Sequence, residues 1–413
     1  MSTRFRALKH RNFQLFLGGQ LVSLAGTWMQ TAAQLWLIYR LTHSPALLGI
    51  FGFANQIPIL LLAPLGGYAG DRYSRHRGVI WTQTTLMVLA FLLAALTLTG
   101  VIRVWEIIFI GFLVGIVNAF DIPIRQAFLV QMVGKEDLPN AIALNSSVFN
   151  GARTVGPAVA GFAILWVGEG WCFFMNGVSF LAVIAALLAM RIERIESRAQ
   201  GGSALRNLAE GYRFVRNDVP VRSALLLLSL LSLLGLQYSV FLPVFAKDVL
   251  QSDARMMGYL MSAASVGAAL GTLHFAARTK YTGLARWIAV TSATWAVALM
   301  VFSQARFFWL SATALFLFGF AATVQMTATN TVTQQRVPDA LRSRVMAVYA
   351  MMLMGFQPVG ALLASGVVKR AGAPAMLAVF GAVCFIGALV FALKVLLPIE
   401  QRRAAERRAE SRR

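Results

Sequence analysis

The sequence predicts an all-α integral membrane protein of twelve transmembrane helices, arranged as two six-helix halves. Three observations lead there: the composition, a series of apolar runs long enough to cross a bilayer, and the placement of lysine and arginine. Apolar residues make up 58% of the 413 residues and charged residues 13%. Soluble domains average roughly 45–50% apolar and 25% charged. Mean hydropathy is +0.68. A spanning helix needs about 20 apolar residues to cross about 30 Å of hydrocarbon.

The apolar runs fall at 13–39, 45–69, 78–100, 104–124, 142–167, 171–190, 223–245, 257–277, 287–304, 307–333, 343–367 and 374–396. The first carries no charge between Arg11 and Arg40. That is too long for a cleavable signal peptide, and the small-residue cleavage pattern is missing, so the N-terminal segment is expected to stay attached. With the N-terminus inside, inner segments carry 29 Lys and Arg and outer loops seven, with Arg153 inside a span. Positive charge accumulates on the cytoplasmic side. Both termini are therefore expected in the cytoplasm, with the chain in a bacterial inner membrane.

A net charge of +21 would suggest nucleic-acid binding in a soluble protein. Here the excess is mostly that orientation signal, and no nucleic-acid partner is expected. The basic tail from Arg402 to Arg413 is expected against anionic lipid headgroups. Cys172 and Cys384 lie in different spans, and His10, His43, His76 and His274 are scattered. No metal site or cofactor is expected, and no nucleophile–base pair suggests an enzyme.

The stretch 191–222 divides the chain into an N-terminal bundle (1–190), this linker, a C-terminal bundle (223–397) and a tail (398–413). Within the linker, Leu205, Leu208, Tyr212 and Val215 fit a short amphipathic helix on the inner membrane surface. A shift of about 201–204 residues brings Gly67 onto Gly271, Pro157 onto Pro358 and Gly168 onto Gly372, the faint symmetry expected of diverged transporter halves. Asp71 meets Phe275, so the halves differ in charge at that point.

Between spans two and three runs GGYAGDRYSRHR, Gly66 to Arg77. Its pattern of Gly67, Asp71, Arg72, Ser74, Arg75 and Arg77 resembles the signature loop of major facilitator superfamily transporters, with Ser74 where the family has glycine. In span five, Gly151-Ala152-Arg153-Thr154-Val155-Gly156-Pro157-Ala158-Val159-Ala160-Gly161 resembles the antiporter motif of the superfamily's drug and metabolite exporters, with Ala160 for one paired glycine. Small residues permit close helix contact, and Pro157 favours a kink. The stretch from Phe120 to Gly161 resembles the branch of enterobactin-exporter-like proteins and macrolide efflux pumps, and the resemblance runs from about Phe5 to Leu396.

That resemblance implies a two-bundle major facilitator fold that alternates between inward-open and outward-open states, acting as a monomer and driven by protons. It places Asp71 against the start of span eleven near Leu341 to Val345, with Gly67, Arg72, Arg75 and Arg342 in the same gate. The mid-span arginine of many proton-coupled exporters is missing, since Ile110 to Ala119 holds no charge.

Gln20, Ser23, Thr27, Thr31 and Gln34 form a polar stripe along span one. Gln30, Gln34, Asn55, Gln56, Gln237, Tyr238, Thr327, Asn330 and Gln357 lie on spans that the family uses to line its substrate cavity. Interhelical hydrogen bonds are the alternative use of such groups. Asp121 and Arg153 are the charged residues at depth. Each is costly unless paired or hydrated, and as residues of neighbouring antiparallel spans they are expected to pair. The expected function is proton-coupled export of a bulky, partly apolar small molecule such as a siderophore or macrolide-like drug. Uptake, lipid translocation, or a sensor or scaffold without flux are the alternatives.

Overall fold

The structure is a computed structural model that describes residues 3–190, 204–277, 283–338, 341–398 and 401. All of its regular elements are helical: α1 (Arg11–Thr42), α2 (Pro45–Arg72), α3 (Arg75–Leu98), α4 (Val104–Val167), α5 (Glu169–Leu188), α6 (Ala204–Asn217) and α7 (Val219–Leu234) come first. They are followed by α8 (Tyr238–Val244), α9 (Ala254–Ala276), α10 (Leu284–Gln304), α11 (Phe308–Arg336), α12 (Arg342–Met354) and α13 (Phe356–Phe391).

Helix starts follow local chemistry. Pro45 opens α2, where its missing N–H costs nothing. Ser74 caps α3 by accepting from the Arg77 N–H, and Asp218 caps α7 by accepting from the Val221 N–H. Breaks fall at glycines with positive φ. Gly134 (φ 73°, ψ 179°) interrupts α4, Gly168 (φ 85°, ψ 169°) separates α4 from α5, and Gly372 (φ 78°, ψ 163°) interrupts α13. Residues with a Cβ avoid that backbone region. Gly168 and Gly372 are the pair related by the sequence repeat, and they turn the chain in nearly the same conformation.

Ten helical stretches among the described residues are long and apolar enough to cross a membrane. Two facts bring these to twelve spans. The 32-residue α1, diluted by its glutamines and threonines, is not among the ten, and the 55-residue stretch Arg342–Leu396 is two spans joined at Gly372. Spans four and five run on as helix to either side of Gly134, well past the expected ends at 124 and 142. The apolar face of that extension is covered: Phe128, Leu129, Met132 and Val133 pack with Phe13, Phe16 and Val79.

The chain forms two compact units, one of residues 1–201 with Leu242–Ser262, the other of Gly202–Phe241 with 263–413. The sequence division at the 191–222 linker does not anticipate the exchange of Leu242–Ser262. Side chains within the first unit explain it. Tyr39 donates to Asp248, His43 and Lys247 share a 2.9 Å contact, and Ser262 donates to the Thr154 carbonyl at 2.7 Å.

The linker helix α6 also departs from expectation. Its Val215 is 3% exposed and joins Val221, Leu225, Val345 and Val348 in a core of the second unit, with Leu208 and Phe214 packed against it. Protein thus covers Leu208, Phe214 and Val215, whereas Tyr212 is 53% exposed. Ion pairs Glu210–Arg344 and Asp218–Arg336 at 3.1 Å hold the same region. The Leu205 side chain lies outside the described residues.

Candidate functional site

The most polar buried constellation centres on Asp121 in α4, 1% exposed. Its carboxylate accepts from the Thr82 hydroxyl at 2.6 Å and the Gln83 amide at 2.9 Å, both from α3. Arg125, one turn along α4, closes an ion pair at 3.2 Å and donates to Gln20 of α1 at 3.0 Å. A buried carboxylate requires such full engagement, because an unpaired one costs several kcal/mol. Three helices of the N-terminal unit are thereby joined through one charge. The Gln20 amide nitrogen is left buried without a partner among the described residues.

This network corrects the expected Asp121–Arg153 pair. Asp121 finds its cation on its own helix, at the i,i+4 spacing that brings side chains together. The Arg153 guanidinium instead lies over the Trp28 ring, 5.6 Å from its centroid, a cation–π geometry. Thr82 and Gln83 were not anticipated. None of the expected cavity residues lies on span three, so adjacent polar residues on that otherwise apolar helix escape such a reading.

The span-five motif is a packing device. A Cβ on Gly156 would stand 2.7 Å from Trp28 Cβ and 2.9 Å from the Ala25 carbonyl of α1. One on Gly161 would stand 2.8 Å from Arg255 Cα and 2.9 Å from the Ala254 carbonyl. Pro157 lies opposite Gly258, where a side chain would overlap the Pro157 carbonyl. Gly151 faces open space and makes no such contact. Arg255 bonds Asp253 at 2.8 Å, and this contact holds the Asp253 carboxyl below its ordinary range.

In the signature loop, Gly67 likewise faces open space, whereas a side chain on Gly66 would overlap the Ala119 backbone. The Asp71 side chain lies outside the described residues. Arg72 donates to the Tyr68 hydroxyl at 2.8 Å and Arg75 to the Ala127 carbonyl at 3.4 Å. Arg342 is the first residue of α12.

Several residues expected at the cavity bond to neighbouring helices or to their own helix. Gln30 accepts from Asn176 of α5 at 2.7 Å, and Asn55 donates to the Gly111 carbonyl at 3.0 Å. Gln237 donates to the Leu233 carbonyl at 3.0 Å and the Gln357 carbonyl at 3.2 Å. Tyr238 packs edge-on to Phe318 with centroids 4.4 Å apart. Thr327 donates back to Thr323 at 2.8 Å, and Asn330 accepts from Gln334 at 2.6 Å. Among the described residues, Gln34 and Gln56 make no hydrogen bond through their side chains.

Twelve spans, buried charge at helix contacts and glycine-packed helices define a polytopic membrane protein. The chain matches the transmembrane secretion effector family over residues 2–411, and it belongs to that family of major facilitator transporters. It is 26% identical over 355 residues to the staphyloferrin A transporter of Staphylococcus aureus, covering 85% of this chain and 88% of that protein. It is 25% identical over 373 residues to the multidrug efflux pump Tap of Mycolicibacterium fortuitum, covering 87% and 89%. Enterobactin exporter EntS of Shigella boydii is 22% identical over 359 residues, covering 86% and 85%. Among solved structures, the nucleoside transporter NupG superposes with a TM-score of 0.73 at 13% identity, covering 93% of this chain and 99% of that one. At that identity the likeness concerns the fold.

Proposed function

We propose that this chain is a secondary active exporter of a bulky, partly apolar small molecule of the siderophore or macrolide-drug class, driven by the proton gradient. The observation that carries the reading is similarity over more than four-fifths of the chain to proteins named as an enterobactin exporter and a multidrug efflux pump. Lysine and arginine placement supports cytoplasmic termini in a bacterial inner membrane, and the family resemblance supports a monomer.

In this reading Asp121 is the proton-carrying group. Protonation removes its charge from Arg125, which retains Gln20 as an acceptor, so the contact among α1, α3 and α4 loosens without stranding the guanidinium. Gly67, Asp71, Arg72, Arg75 and Arg342 form the inner gate. Gln34 and Gln56, whose amides are not spent on neighbouring helices, are the first candidates for substrate contact.

Proteoliposomes under an imposed pH gradient test this with a panel of siderophores and macrolides. Wild type is expected to concentrate one class, while Asp121→Asn loses concentration against the gradient but keeps downhill exchange. If Asp121→Asn still concentrates substrate, the coupling role is wrong; if no compound moves in the wild type, the substrate class is wrong.

A further inference from the structure

The N-terminal unit carries a half-open groove of about 440 Å³ where the ends of α2 and α3 meet α4. Tyr73, Ser74, Arg77 and Trp81 form its rim, and Phe120 and Ile124 are among the residues of its apolar floor. Three observations say what chemistry suits it. First, Arg77 makes no side-chain hydrogen bond or ion pair among the described residues, while the neighbouring Arg72 and Arg75 are both engaged. Among the described residues that line the groove, Arg77 is the charged one, so its guanidinium is available to an anionic group. Second, Tyr73 is 67% and Trp81 72% exposed. Trp81 lies one turn deeper than Arg77, about 6 Å along the axis, on a membrane-spanning helix just past its charged end. Amphipathic aromatics at that depth sit at the level of lipid headgroups and ester groups. Third, the floor is apolar, and Gly78 keeps it open: a Cβ there would stand 3.1 Å from the Ile124 side chain.

We propose that this groove is a binding site for an anionic glycerophospholipid. The phosphodiester pairs with the Arg77 guanidinium, the glycerol esters lie level with the Tyr73 hydroxyl and the Trp81 indole N–H, and an acyl chain covers Phe120 and Ile124. The site adjoins the charge network, because Thr82 lines the groove and its hydroxyl donates to Asp121. A lipid there is one side chain removed from the buried carboxylate, and its headgroup rests on the signature loop.

Native mass spectrometry of the full-length, detergent-purified protein tests this with phosphatidylglycerol and phosphatidylcholine of identical acyl chains. Wild type is expected to retain phosphatidylglycerol in preference. Arg77→Gln is expected to weaken phosphatidylglycerol retention about fivefold and leave phosphatidylcholine unchanged. Arg213→Gln, an equal charge loss on the exposed side of α6, is expected to change neither, and soluble glycerol phosphate is not expected to displace the lipid. Equal retention of the two lipids, equal effects of the two arginine variants, or displacement by glycerol phosphate would each overturn the proposal. Should Arg77→Gln fail to fold, quenching by phosphatidylglycerol with brominated chains, compared between wild type and Trp81→Phe, gives the same decision: a loss confined to the Trp81 contribution supports the site, and no difference sinks it. Because binding is read without flux, these outcomes are independent of whether the chain exports anything.

Discussion

Replacing Asp121 with asparagine keeps shape and removes charge. The side chain of Asp121 is 2% exposed and that of Arg125 24%, so the pair is largely withdrawn from solvent. Removing one member of a buried pair costs about 3–5 kcal/mol, because the other charge is left uncompensated. Arg125 is partly wet and keeps its bond to Gln20, which places Asp121→Asn at the low end, about 3 kcal/mol. Arg125→Gln leaves the more deeply buried carboxylate with only Thr82 and Gln83, and falls at the high end, about 3–5 kcal/mol. The double variant has neither charge and retains polar partners on both sides, so its cost is expected within about 1 kcal/mol of wild type.

Unfolding in mixed micelles as a function of SDS fraction, followed for wild type, both single variants and the double variant, measures the cycle. The single losses sum to about 6–8 kcal/mol and the double variant loses no more than about 1 kcal/mol, so a favourable coupling of at least about 5 kcal/mol is expected. If the two single losses add within about 0.5 kcal/mol, the carboxylate and guanidinium are energetically independent, and the ion pair read from the geometry carries no weight.

Gly156→Leu, which must displace Trp28 or the α1 backbone, is expected to abolish folded yield by size-exclusion chromatography, while Gly151→Ala elutes as wild type. Gly372→Ala forces a Cβ into positive-φ backbone and is expected to cost about 1–3 kcal/mol in the same micelle titration, although that Cβ would meet only Pro374 Cδ, at an ordinary 4.0 Å. Asp71→Asn is expected to depress transport without reducing membrane insertion, measured by flux alongside surface labelling; unchanged flux would reduce the loop to a topology signal. Reporter fusions after Arg198 and Arg402 are both expected to read cytoplasmic, and an external reading at Arg198 would invert the topology.

Span positions and the two-half architecture were legible because hydrocarbon imposes length and apolarity on each crossing independently of its neighbours. Gly168 and Gly372 were legible as a repeat because a backbone turn at positive φ constrains residue type locally. Pairings were less legible, since they depend on how helices rotate about their axes. Asp121 and Arg153 are the charged residues that stand out in the membrane, which invites pairing them, yet Arg125 was closer by chain and Trp28 offered Arg153 a π face. The extra helical turns around Gly134 were hidden because charges such as Arg125 and Glu136 mark where the membrane ends, and the helix does not end there. The position of α6 followed a similar logic: an apolar stripe predicts a partner surface, but does not say whether lipid or protein supplies it.

Span seven shows why a polar side chain within the membrane is weak evidence for a ligand. The helix departs from regular geometry in succession, at a 3₁₀ turn over Gly235–Gln237, at Pro243 within α8 and at a π turn over Phe245–Val249. Irregular turns free backbone carbonyls that lipid cannot satisfy. Gln237 answers that demand directly, since its amide donates to the carbonyl of Leu233 just before the 3₁₀ turn and to that of Gln357. Gly360 makes the junction possible, because a side chain there would overlap the Leu233 carbonyl. Gln237 is therefore accounted for by repair of a broken helix, and its substitution by leucine should disturb packing before it disturbs specificity. The same accounting removes Gln30 and Asn55, each bonded to a neighbouring helix. Gln34 and Gln56 survive it with their amides unspent, so a change in substrate preference without loss of folded protein is expected at those two positions before any other glutamine in the chain.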